Sequence, residues 1–119
     1  MNNILIVEDE DRLAAFVAKG FKKYGYSTVV ATDGEQALEV SRANTYDAIL
    51  LDLGLPKKDG WTVLKELRDR GDCSPVIIMT ARSESRQTAV AALANDYLQN
   101  PFRFKELLEV VQRQIISSS

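Results

Sequence analysis

Three apolar runs in this chain end in groups that bind cations or phosphoryl oxygens. Ile4-Leu5-Ile6-Val7 runs into Glu8 and Asp9, Ala48-Ile49-Leu50-Leu51 into Asp52, and Val76-Ile77-Ile78-Met79 into Thr80. Strands of a parallel sheet all point the same way, so groups at their C-terminal ends converge on one edge, where ligands of open α/β sheets bind. Carboxylates crowded together there are costly unless a cation neutralises them. An all-oxygen donor set suits Mg²⁺, which takes near-octahedral geometry and keeps some of its waters. In this reading Asp9 and Asp52 bind the ion directly, the backbone carbonyl of Gly54 supplies a further oxygen, and Glu8 holds a metal-bound water. With the acids screened, Asp52 can attack a phosphoryl group as a nucleophile and form an acyl phosphate. The Thr80 hydroxyl can then donate to a phosphoryl oxygen.

The elements that must position these groups follow from the apolar spacing. Residues 3–7 predict a buried strand. Leu13, Phe16, Val17, Phe21 and Tyr24 predict a helix over 11–24, stopped by Gly25. Ser27 to Ala31 is a β-rich run. Asp33 is placed to cap a helix over 34–44 that buries Ala37 and Leu38, and Asp47 to Leu51 form the central strand. Trp61, Leu64 and Leu67 predict a third helix ending near Gly71, and Pro75 opens the strand 76–79. Ser83 to Ala94 reads as a weakly amphipathic helix with Val90 and Leu93 as its large apolar residues. Tyr97-Leu98 form a short strand. Phe104, Leu107, Leu108, Val111 and Ile115 mark a last helix. A βα unit repeated five times implies a parallel sheet with right-handed crossovers and helices on both faces.

The bulk properties narrow the function classes. The chain has 119 residues, enough for one compact domain. With 15 basic and 17 acidic residues its net charge is −2, which argues against direct nucleic-acid contact. Cys73 is the single cysteine, so no internal disulfide can form. There is no apolar stretch of about 18 residues and no signal-peptide pattern, so a membrane span is not expected and a cytoplasmic location is. No histidine is present to serve as base or metal ligand.

At this point the chain resembles the receiver domain of two-component response regulators. The resemblance is carried by Ile4-Leu5-Ile6-Val7-Glu8-Asp9-Glu10, Leu51-Asp52-Leu53-Gly54-Leu55-Pro56, Asp59-Gly60, Met79-Thr80-Ala81-Arg82, and Asn95-Asp96-Tyr97-Leu98 with Pro101-Phe102. The loop wording is most similar to the OmpR/PhoB class, whose receivers usually precede a winged-helix DNA-binding domain. The resemblance implies a flavodoxin-like (βα)5 fold with strand order 2-1-3-4-5, spanning residues 1–117, with 118–119 as the start of a linker or an added end. It implies Asp52 as phosphoacceptor, Glu8 and Asp9 as metal-binding acids, and Thr80 with Tyr97 as a switch pair. It implies a sensor histidine kinase or phosphotransfer protein as donor, no enzymatic activity beyond self-phosphorylation and slow autodephosphorylation, and control of transcription as an output. A homodimer through the face of the fourth helix, fifth strand and last helix is also implied.

Three positions depart from the family. Asn100 stands where the family carries a lysine that gives the phosphoryl group a fixed positive charge. A neutral amide makes a hydrogen bond roughly half as strong as a charge-assisted one. Arg82, Lys57 and Lys58 are candidates for a substitute cation. The stretch from Thr80 to Asn100 is about two residues shorter than usual, and Leu93-Ala94 replaces Gly-Ala where a turn needing φ > 0 is expected. Val110 stands near the place where the family carries a basic residue of the usual dimer face, and that residue is missing here.

Other functions compete. A pseudo-receiver that docks a partner without phosphorylation would keep the acids and lose the switch. A haloacid dehalogenase-like phosphatase needs a second acid two residues after its nucleophile, and Gly54 occupies that place. A nucleotide-binding domain needs a glycine-rich loop after the first strand, where Glu8 and Asp9 lie instead.

Overall fold

The computed structural model describes residues 2–80, 88–89 and 92–118, with the backbone alone for 117–118. Five strands form one parallel sheet: β1 (Asn3–Val7), β2 (Ser27–Ala31), β3 (Ala48–Leu51), β4 (Val76–Thr80) and β5 (Asp96–Gln99), in the order β2-β1-β3-β4-β5. This is the flavodoxin-like receiver topology. Helices α1 (Asp11–Lys23), α2 (Gly34–Ala43) and α3 (Gly60–Asp69) connect the first four strands, and a C-terminal helix (Phe104–Ser118) closes the chain. Of the helix expected over Ser83 to Ala94, Thr88 and Ala89 are helical, Ala92 and Leu93 form a turn instead and Ala94 lies outside any helix, while residues 81–87, 90 and 91, Arg82 and Val90 among them, lie outside the described residues.

Alternation along the strands divides the core in two. Leu5, Val7, Ile49, Leu51, Val76 and Ile78 face α2 and α3 and pack on Leu38, Val63, Leu64 and Leu67. Ile4, Ile6, Ala48, Leu50, Ile77 and Met79 face α1 and the C-terminal helix and pack on Val17, Phe21, Leu107 and Val111. Strands covered on both faces read as unbroken apolar runs, which is why these were legible as sequence. Burying one such side chain contributes about 1.5–3 kcal/mol.

The helix boundaries follow local chemistry. Asp33 caps α2 by accepting from the Gln36 N–H, and Asp59 caps α3 by accepting from the Thr62 N–H. Gly25, at φ 88°, ends α1 while the Tyr26 N–H donates to the Phe21 carbonyl. The expected inner face of α1 is revised. Ala14, Val17, Ala18 and Phe21 are its buried residues, whereas Phe16 and Tyr24 are more than half exposed. Both instead lie against Phe104, Phe16 edge-on at 6.1 Å and Tyr24 stacked at 6.2 Å. Small residues let α1 sit close to the sheet and push the large aromatics to its rim.

Arg68, near the end of α3, fixes the entries to β4 and β5. Its guanidinium donates to the carbonyls of Asp72, Ser74 and Leu93 and to Asn95 Oδ1, which also accepts the Val76 N–H. Leu93 sits in the left-handed region, at φ 71°, with its side chain exposed. The position where a glycine is expected therefore keeps the glycine's conformation without the glycine. Val110 is buried against the sheet, so it offers nothing polar to a partner.

Candidate functional site

Strand register brings the acids together. Val7 pairs with Leu51, so the residues that follow, Glu8 and Asp52, emerge side by side. The Asp52 N–H donates to the Val7 carbonyl and the Glu8 N–H to the Ala31 carbonyl, which holds both departing chains to the sheet. Glu8, Asp9 and Asp52 each present a carboxylate oxygen, and these atoms all lie within 4.8 Å of one another. Glu8 is buried, Asp52 half-buried and Asp9 exposed, so the cluster opens to solvent through Asp9.

Burial is the main electrostatic fact of this cluster. It pushes the Glu8 carboxyl up to about 7, opposed by the Glu10 N–H it accepts and reinforced by the charges of Asp52 and Asp9. Burial also raises Asp52; the N–H groups of Gly54 and Leu53 and the Thr80 hydroxyl counter it by donating to the carboxylate. A divalent cation among the three oxygens would reverse both shifts. Oxygen-only donors, close spacing and one open side suit Mg²⁺.

Asp52 is held from below by α3. Leu53 is wholly buried and accepts the Gly60 N–H at 2.9 Å. A Cβ on Gly60 would collide with the Asp52 carbonyl oxygen and the Leu53 Cα. By contrast, the space around Gly54 is open, so its place does not depend on lacking a side chain.

Thr80, at the end of β4, is buried with its hydroxyl bonded to Asp52. Its carbonyl accepts the Asn100 N–H at 2.7 Å, which ties the loop after β5 to the same edge. Tyr97 lies opposite Ile78 in β5 and is buried in the core on the α2–α3 side. Asn100 is half-buried, and its peptide bond to Pro101 is cis. Two of the expected substitute cations are turned elsewhere. Lys57 pairs with Asp33 at 3.7 Å, and Lys58 makes two bonds to the Glu66 carboxylate, at 2.8 and 3.0 Å.

Sequence reading missed two residues. Gly60 was visible only as part of a motif; a glycine at a helix start gives no sign that a backbone carbonyl crosses it. Arg12, in the first turn of α1, lines a shallow pocket with Glu10, Leu13, Asn100 and Pro101.

Residues 4–112 match the family model described as "Response regulator receiver domain". The transcriptional regulatory protein HprR of Escherichia coli is 39% identical over 114 residues, covering 94% of this chain and 51% of its own. The chain thus spans about half the length of the curated relatives it matches. Among solved structures, the receiver domain of the Francisella response regulator 1452 superposes with a TM-score of 0.95 at 31% identity over the full length of both chains. The response regulator TrrA of Thermotoga maritima, solved in complex with Mg²⁺–BeF, gives a TM-score of 0.88 at 31% identity, covering 96% of this chain and 99% of its own.

Proposed function

This chain belongs to the response regulator receiver family of two-component signal transduction, and from that premise we propose that Asp52 is its phosphoacceptor and that Mg²⁺ bound by Glu8, Asp9 and Asp52 makes the transfer possible. The observation that carries the proposal is the clustering of the three carboxylates within 4.8 Å around the half-buried Asp52. Asp9 and Asp52 would bind the ion directly, Glu8 would hold one of its waters, and the Gly54 carbonyl would add a further oxygen. The ion supplies charge neutralisation when bound. The chain's own residues do the rest: Leu53 and Gly54 orient the Asp52 carboxylate through their N–H groups, and Thr80 is ready to donate to a phosphoryl oxygen.

In the transfer, an Asp52 carboxylate oxygen forms a bond to phosphorus while the bond from phosphorus to the donor nitrogen breaks. Receiver domains take this group from histidine kinases or phosphotransfer proteins, and such a protein is the proposed partner here. Transcriptional control is the proposed output, supported by the similarity to HprR. Tyr97 would complete the switch with Thr80, and Asn100 would meet the phosphoryl group as an amide. Incubation with acetyl phosphate and Mg²⁺ followed by intact mass measurement tests the proposal. It predicts one phosphoryl adduct that is lost in Asp52→Ala; a wild-type chain that stays unmodified would refute it.

A further inference from the structure

We propose that Arg12 supplies the cation that meets the phosphoryl group on Asp52, a role that rests on the phosphoacceptor reading of that residue. The charge count at this edge favours such a group. Asp9, Asp52 and the phosphoryl oxygens together carry more negative charge than one divalent ion neutralises, and Glu8 adds to it when ionised. Asn100, bonded through its N–H to the Thr80 carbonyl, lies at the same edge and brings only a neutral amide. Lys57 and Lys58 are engaged with Asp33 and Glu66.

Arg12 differs from both lysines. It lines the pocket that also contains Asn100 and Pro101, beside the loop that carries Glu8 and Asp9. Its side chain is exposed, and among the described residues it makes no ion pair or hydrogen bond. It occupies the second position of α1, where a cation opposes the helix field and is mildly destabilising. An anion arriving over Asp52 would relieve that opposition. A guanidinium also suits the target, because its planar fork can donate two parallel bonds to phosphoryl oxygens.

The test is calorimetric titration of the whole chain, first with Mg²⁺ and then with beryllofluoride as the phosphoryl mimic. Wild type, Arg12→Ala, Arg12→Lys, Asn100→Lys and the Arg12→Ala/Asn100→Lys double variant are compared. Arg12→Ala should weaken beryllofluoride binding by roughly tenfold, the scale of one charge-assisted hydrogen bond. Its Mg²⁺ affinity should rise slightly, because a nearby positive charge is gone. Arg12→Lys should recover part of the loss, and Asn100→Lys should restore binding in the double variant. Equal beryllofluoride affinity in wild type and Arg12→Ala overturns the inference while leaving Asp52 as phosphoacceptor. Parallel loss of both affinities with a lowered melting temperature also overturns it, because that pattern marks a structural role. A wild-type chain that binds Mg²⁺ but no beryllofluoride removes the phosphoacceptor reading and this one together.

Discussion

The Thr80 hydroxyl donates a hydrogen bond to the Asp52 carboxylate. Both sit at the ends of neighbouring strands, and Thr80 is buried, so this bond forms away from bulk water. It joins the residue that would accept the phosphoryl group to the one whose carbonyl holds the Asn100 loop.

Thr80→Ala removes a donor that favours the ionised form of Asp52. The Asp52 carboxyl should therefore titrate higher in the variant. Carbon-detected NMR titration of the Asp52 side chain measures it. An unchanged or lowered value would show that the bond does not act on the carboxylate.

Glu8 makes stability depend on pH and on metal. In the folded, metal-free chain it holds its proton up to about 7, against an ordinary value of 4.5. The folded state binds more protons than the unfolded one between those values, so stability falls as pH rises through that window. The contribution lost is at most about 3 kcal/mol. Urea unfolding in EDTA should show wild type losing stability relative to Glu8→Gln between pH 5 and pH 8, and Mg²⁺ should reduce the loss at pH 8. Mg²⁺ affinity itself should rise with pH through about 7.

Leu93 holds a left-handed backbone conformation that costs a residue with a Cβ about 1–2 kcal/mol. Its side chain is exposed, so its removal forfeits little packing. Leu93→Gly should raise stability by about 1 kcal/mol, less the extra freedom glycine gains in the unfolded chain. A shift of the urea midpoint to higher concentration at unchanged slope checks this; no gain would mean the conformation carries no strain.

Gly60→Ala places a methyl group against the backbone beneath Asp52. The loop must move, because the obstructing atoms are backbone rather than a flexible side-chain tip. A loss of about 1–3 kcal/mol is expected, as for overpacking generally, together with weaker Mg²⁺ binding. Fluorescence of Trp61, the next residue, reports the binding. A variant with wild-type stability and Mg²⁺ affinity would show that the contact is not what holds Asp52 in place.

Much of this was legible in the sequence because two signals coincide. Runs such as Val76-Ile77-Ile78-Met79 are buried on both faces, and the acids and hydroxyl that end those runs fall on one edge by topology alone. What escaped was decided by contacts across the fold. Phe16 and Tyr24 have the right spacing for an inner face, yet Ala14 and Ala18 take it because close approach to the sheet favours small residues. Arg68 looks like any surface arginine of a helix end until the loops before β4 and β5 bring their carbonyls to it. Lys57 and Lys58 follow the acids closely in the loop, but their partners, Asp33 and Glu66, lie on other segments. Arg12 acquires its interest only from Asn100, which is distant in sequence and adjacent in the pocket.

Phosphorylation of the Asp52 carboxylate would leave an acyl phosphate on that residue. An acyl phosphate is reduced by borohydride to an alcohol, so a phosphorylated aspartate becomes homoserine, whereas a phosphate ester does not react in this way. The chain should be treated with acetyl phosphate and Mg²⁺, reduced with borohydride, digested and sequenced by mass spectrometry. Homoserine is expected at position 52, absent when Mg²⁺ is withheld. Homoserine at Asp9 or elsewhere, with Asp52 unmodified, would contradict it.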